Sequence, residues 1–145
     1  MDYRKLAEQL IVYILHCPKR PKSPTLVENS RGENLTLAYL LEIQNNVAPG
    51  QIASFEDVST ARMACIINKL EEKGLAVRKT DESDKRKTII ALTDKGRKST
   101  LQHRESMLNN LSSILDYLGE KDATEYVRIM KRLYLYNNEK ENTNA

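Results

Sequence analysis

The chain of 145 residues contains no tryptophan, one phenylalanine, five glycines, four prolines and two cysteines. Each shortage removes a class of reading. Cys17 and Cys65 stand far apart, outside any CxxC spacing, so they offer neither a disulfide framework nor a thiolate metal site. They read as two reduced thiols of a cytoplasmic protein. The glycines are scattered, which leaves no Gly-rich loop to cradle a phosphate. Only two histidines are available as bases, His16 and His103, and no serine sits in a nucleophile elbow. The chain is therefore read as a non-enzyme. His16, Cys17 and His103 lack ligand-like spacing, and no metal or cofactor is expected. No apolar run approaches the ~20 residues that span a bilayer. The stretch LAEQLIVYIL near the start is broken by Glu8 and Gln9 and has no small-residue cleavage site. It reads as a helix and not as a secretory leader.

What is present describes a chain that folds. Hydrophobic residues make up 40% and charged residues 30% of it, enough for one domain with its own core. The net charge is only +3, but it is unevenly placed. Residues 59–98 hold 11 of the 23 Lys and Arg but only 6 of the 20 Asp and Glu. A basic module on a near-neutral body is the footprint of a nucleic-acid binder.

Periodicity supplies the elements. Leu6, Leu10, Ile11, Ile14 and Leu15 make a helical stripe over 3–16. Pro18, Pro21 and Pro24, with Lys19, Arg20 and Lys22 between them, enforce an extended connector. A second helix is expected over about 33–46, with Asn45 and Asn46 as stops. Pro49 opens a short third helix, PGQIASFEDV. Ser59 or Thr60 caps a fourth, which Gly74 ends. Leu75, Val77, Ile89, Ile90 and Leu92 belong to two strands around the charged tip DESDKRK. Thr93 caps a long helix that Gly119 breaks. A last helix follows through Tyr134, and Asn137 to Ala145 reads as a polar, frayed tail.

Helix, Gly stop, strand, basic tip and strand, from Val58 to Gly96, describe a helix–turn–helix with a wing. The fourth helix divides by angle. Met63, Ile66, Ile67 and Leu70 form the core side. Ala61, Cys65 and Asn68 point outward, with Arg62 and Lys69 at one edge and Ala64 at the other. Small residues let a backbone approach base edges. Ser59 and Thr60 can bond phosphate, and Arg62 can reach a guanine or a phosphate. At the tip, Arg86 is flanked by Lys85 and Lys87, and Asp84 can orient its guanidinium. An arginine on such a tip can enter a narrow minor groove. The bland counterparts are an amphipathic helix with a solvated face and a solubilising edge hairpin.

The pieces VSTARMACIINKLEEKGL, the D-x-R tip Asp84-Lys85-Arg86 and the ending IIALTDKG together resemble the MarR family of bacterial transcriptional regulators. The match is clear over about 49–97. The resemblance implies a mostly α fold with a small β-hairpin wing, a winged helix–turn–helix with N- and C-terminal dimerisation helices. It implies one domain over 1–145: a DNA-binding core over about 33–97, dimerisation helices over 1–17 and 98–138, and a polar tail over 139–145. It further implies a homodimer on a palindromic operator in double-stranded DNA, a repressor released by a small aromatic or phenolic effector. Carried over by position, Ser59, Thr60, Ala61, Arg62, Cys65 and Lys69 fall on the contacting helix, and Asp84, Lys85, Arg86 and Lys87 on the wing. The apolar excess of the last two helices independently calls for a second chain, unless they simply pair with each other. Two alternatives compete. One is a winged-helix interaction module without DNA binding. The other is a thiol-based redox regulator using Cys17, flanked by His16 and Lys19, or Cys65.

Overall fold

A computed structural model describes residues 1–16 and 27–143, with the side chains of 27–31 and 141 left aside. Cys17 and the proline connector lie outside the described residues. The order is α1 (Tyr3–Leu15), α2 (Val27–Glu42), α3 (Pro49–Glu56), α4 (Thr60–Glu72), β1 (Ala76–Thr80), β2 (Thr88–Leu92) and α5 (Asp94–Thr143). This is the mostly helical, hairpin-bearing winged helix that the sequence leads one to expect. The chain divides into two compact units, Met1–Arg20 with His103–Ala145, and Pro21–Gln102.

The second unit holds the winged helix. Leu37, Leu40, Ile52, Met63, Ile66, Ile67, Leu70, Ile90 and Leu92 form its core. The four apolar residues assigned to the inner side of α4 are all buried there. β1 and β2 pair antiparallel with Ala76 opposite Leu92 and Thr80 opposite Thr88. Ala76, Ile90, Ala91 and Leu92 are all buried, so the base of the hairpin is covered on both faces and shows no clean alternation. Val47 adds a one-residue bridge to Ile90, a third rung that no run of β-formers announces.

The turns are built by named groups. α4 begins with the Ser59 hydroxyl oxygen accepting from Arg62 N at 3.1 Å. It ends in a Schellman motif: Gly74, at φ 71°, donates to the Glu71 carbonyl, and Leu75 donates to that of Leu70. Thr93 Oγ1 then accepts from Gly96 N at 2.9 Å and donates to the Gly74 carbonyl, fastening the start of α5 to the end of α4. A Cβ placed on Gly96 would lie 1.8 Å from the Leu75 carbonyl oxygen. That close approach explains the glycine in IIALTDKG.

α2 starts and ends earlier than its apolar pattern suggests. Asn46 turns left-handed at φ 57°, and the Asn45 side chain accepts from Leu92 N at 2.9 Å. Both residues serve the entry to the sheet and not the helix. α3 stops at Glu56 because Asp57 takes the left-handed conformation.

In the first unit, Ala7, Leu10 and Ile11 of α1 pack with Leu108, Leu115, Ala123 and Val127 of α5. Arg4 donates to both oxygens of Glu105, at 3.0 and 2.8 Å. Gly119, at φ 83°, interrupts α5 as its sequence predicts. The expected frayed tail is a correction: α5 continues to Thr143. Residues 137–143 contain no glycine or proline to stop it, Lys140 Nζ lies 5.7 Å from the Tyr136 ring centre, and Thr143 Oγ1 bonds back to the Glu139 carbonyl.

Candidate nucleic-acid interface

The outer side of α4 is a stripe of exposed residues: Thr60, Ala61, Ala64, Cys65, Asn68 and Lys69. Ser59, which caps the helix, and Thr60, which opens it, are both exposed. The middle of the stripe is alanine and cysteine, small enough for the backbone to approach another surface closely. Cys65 is an exposed free thiol on this side, so sulfur would meet whatever the helix meets.

Arg62 departs from its expected place at the open edge. It is half-buried, and its Nη2 comes within 3.8 Å of where a side chain on Gly32 would begin. Its charge acts on Glu56 at the end of α3. Arg78 of β1 is also turned away from solvent contacts. Its guanidinium pairs with Glu71 and reaches the Ala64 carbonyl at 3.4 Å, while its backbone N–H donates to Glu71 at 3.3 Å. It thereby braces β1 against α4, a role that only the three-dimensional arrangement reveals.

The wing tip is organised by two aspartates. Asp81 accepts from Ser83 N and Ser83 Oγ at 2.9 and 2.8 Å. These bonds, the hydroxyl first, hold its carboxyl below the usual range. Asp81 N donates to the Lys87 carbonyl and Lys87 N to that of Asp84, closing the turn. Asp84 accepts from both the backbone N and the Nε of Arg86, at 3.1 and 3.2 Å. Arg86 nevertheless leaves 91% of its side chain in solvent. Lys85 and Lys87 are exposed beside it. The tip is a fixed loop with three cations facing outward.

Among the described residues no group of three or more His, Cys, Asp or Glu is placed to hold a metal ion. None of their helices is long and apolar enough to cross a membrane.

Comparisons with known proteins place this geometry. Residues 35–88 match the MarR family model. The HTH-type transcriptional regulator Hpr of Bacillus cereus (strain B4264) is 30% identical over 108 residues, which cover 69% of this chain. The match spans only 57% of that regulator's length. Streptococcus pneumoniae FabT, solved in complex with DNA, superposes with a TM-score of 0.66 at 22% identity, covering 95% of this chain and 99% of its own. A MarR transcriptional regulator from Methanosarcina mazei Go1 gives 0.62 at 16% identity, covering 92% and 86%. Residues 35–88 thus match the MarR family by sequence, and over nearly its whole length the chain shares the fold of these solved structures.

Proposed function

We propose that the protein is a transcriptional regulator that binds double-stranded DNA as a homodimer, with α4 in the major groove and the wing in the minor groove. The observation that carries this reading is the pairing of two surfaces in one unit. The exposed small-residue stripe of α4 stands beside a wing whose tip offers Lys85, Arg86 and Lys87 to solvent. An interaction module has no need of both. FabT, which shares this fold, is solved in complex with DNA, and that supports a DNA-binding reading.

Two copies are needed because the first unit leaves large apolar side chains in water. Ile114, Tyr117, Ile129, Leu133 and Tyr136 are all exposed in a single chain. A second copy covers them and sets the spacing of two recognition helices on a palindrome. Repression is the sign of regulation we assign, since a dimer seated on a promoter excludes other proteins from it. Release calls for an effector. The open groove of about 520 Å³ beside α1, with Leu6, Tyr13, Val127 and Lys131 on its wall, offers apolar and ring contacts and a lysine suited to an aromatic acid, while Arg128 there is paired with Glu125.

The test is binding to duplex DNA read by fluorescence anisotropy across a salt series. If each dimer neutralises on the order of 6–10 phosphates, affinity falls by about 10³–10⁵ between about 50 and 200 mM salt. Tight capture of a protein partner with no salt-dependent DNA affinity would establish the interaction-module reading instead.

A further inference from the structure

Among the side chains on the outer side of α4, Asn68 alone combines exposure with a planar pair of hydrogen-bonding groups, one donating and one accepting. Helical spacing puts it in line with Ala61 and Cys65, seven and three residues earlier. Among the described residues its amide has no hydrogen-bond partner. Asparagine inside a helix also costs stability, because its side chain competes for the backbone. Asn68 therefore does nothing for the fold that alanine would not do better.

Its neighbours lack its chemistry. Ala61 and Ala64 have no polar side-chain atom, and Cys65 offers a weak donor. Lys69, at the edge of the stripe, is a point charge suited to phosphate. Arg62 is half-buried, with its Nη2 3.8 Å from where a Gly32 side chain would begin. Arginine, the usual reader of guanine, is thus missing from the middle of the stripe. Glu72, one turn beyond Asn68 on the same side, is exposed and repelled by phosphates, so the reading surface ends at Asn68. The small side chains before it let a duplex come close enough for a short amide to reach a base.

We propose that Asn68 is the side chain of α4 that sets DNA specificity, by reading one adenine in the major groove of each half-site. The proposal rests on the DNA-binding reading. The match is one of hydrogen-bond pattern. Adenine presents an acceptor and a donor side by side on its major-groove edge, and the amide answers with a donor and an acceptor. Guanine presents two acceptors, and cytosine and thymine one polar group each. Adenine alone satisfies both halves of the amide at once.

The experiment selects duplexes from a random pool with the parent protein and with Asn68→Ala, at constant ionic strength. Affinities are then measured on the parent's selected duplex and on copies with single base pairs exchanged. Alanine is the better helix former, so the variant keeps its fold, which thermal melting verifies. The parent is expected to enrich an A·T pair at one position of each half-site, and to lose about fivefold or more in affinity when that pair is exchanged. Asn68→Ala is expected to bind the exchanged and unexchanged duplexes equally, and to keep the parent's preferences elsewhere. Replacing that adenine by purine, which lacks the amino group, should weaken the parent and leave the variant unaffected. A variant that keeps every preference of the parent overturns the proposal, as does a preference lost at a G·C pair. Equal weakening of the variant on all duplexes makes Asn68 a phosphate contact and overturns it too. Salt-dependent binding without sequence preference overturns this proposal and leaves the DNA-binding reading standing. No salt-dependent binding to any duplex overturns that reading, and this proposal with it.

Discussion

Arg86 and Arg62 carry the same charge in opposite settings, and the settings predict different behaviour. Arg86 is tethered at its base by Asp84 and otherwise solvated, so its folding contribution is slight. Arg86→Ala is expected to lower DNA affinity about tenfold with the Tm unchanged, measured by anisotropy and thermal melting on the same preparation. Equal affinity to the parent would remove the wing from the interface. Arg62 is half-buried and coupled to Glu56, so truncating it disturbs folding and binding together. Helical angle places it at the edge of the outward stripe. The carboxylate of Glu56 on α3 acts on it, and the missing side chain of Gly32, thirty residues away, leaves room for it on the inner side. Cys65, by contrast, is exposed where the angle puts it, because nothing of the described chain lies over that side of α4.

Elements here are joined at few points, and each joint has a testable strength. Gly96 admits the Leu75 carbonyl where any Cβ would overlap it. Gly96→Ala should destabilise the protein by about 3 kcal/mol or more, read as a lowered urea midpoint, because the clash is with backbone and cannot be relieved by a rotamer. The Arg78–Glu71 pair joins β1 to α4. Removing an acidic side chain by itself strengthens binding to a polyanion. Glu71→Ala is nevertheless expected to weaken DNA binding by about 1 kcal/mol, since the wing loses its brace and Arg78 its partner. A gain in affinity would show that charge outweighs the brace. The sequence displays Glu71 and Arg78 as two ordinary polar residues flanking a Gly stop. Their pairing depends on a Schellman turn that folds the chain back by a fixed angle.

At the scale of the molecule, the unsatisfied surface is the informative feature. Tyr117 is 89% exposed and Leu133 49%, on a helix whose buried side is already occupied by α1. We expect a dimer by sedimentation. Leu133→Asp should shift it to monomer and lower DNA affinity at least tenfold, because two tethered heads bind with an effective concentration that single heads lack. A monomeric parent protein would overturn the dimer and the palindrome together. The apolar repeat in this region is legible in the sequence, but its division is not. Leu108 and Leu115 go to the interior while Leu101, Ile114 and Leu118 stay outside, although all five share the helical pattern.

The sequence by itself determined the local program: the caps and stops of α4, the hairpin, the Gly119 break and the inner and outer sides of α4. These follow from spacing and from residues such as Ser59 and Gly74, whose conformational preferences act over one turn. Tertiary structure decided what two elements do to each other. It added the Val47 rung, turned Arg78 into a strut and set the Thr36 hydroxyl of α2 against Glu56 of α3. The physical reason is range. Periodicity and capping are properties of neighbours along the chain, whereas a cross-element hydrogen bond or ion pair depends on distances that exist only once α2, α3, α4 and the wing have packed.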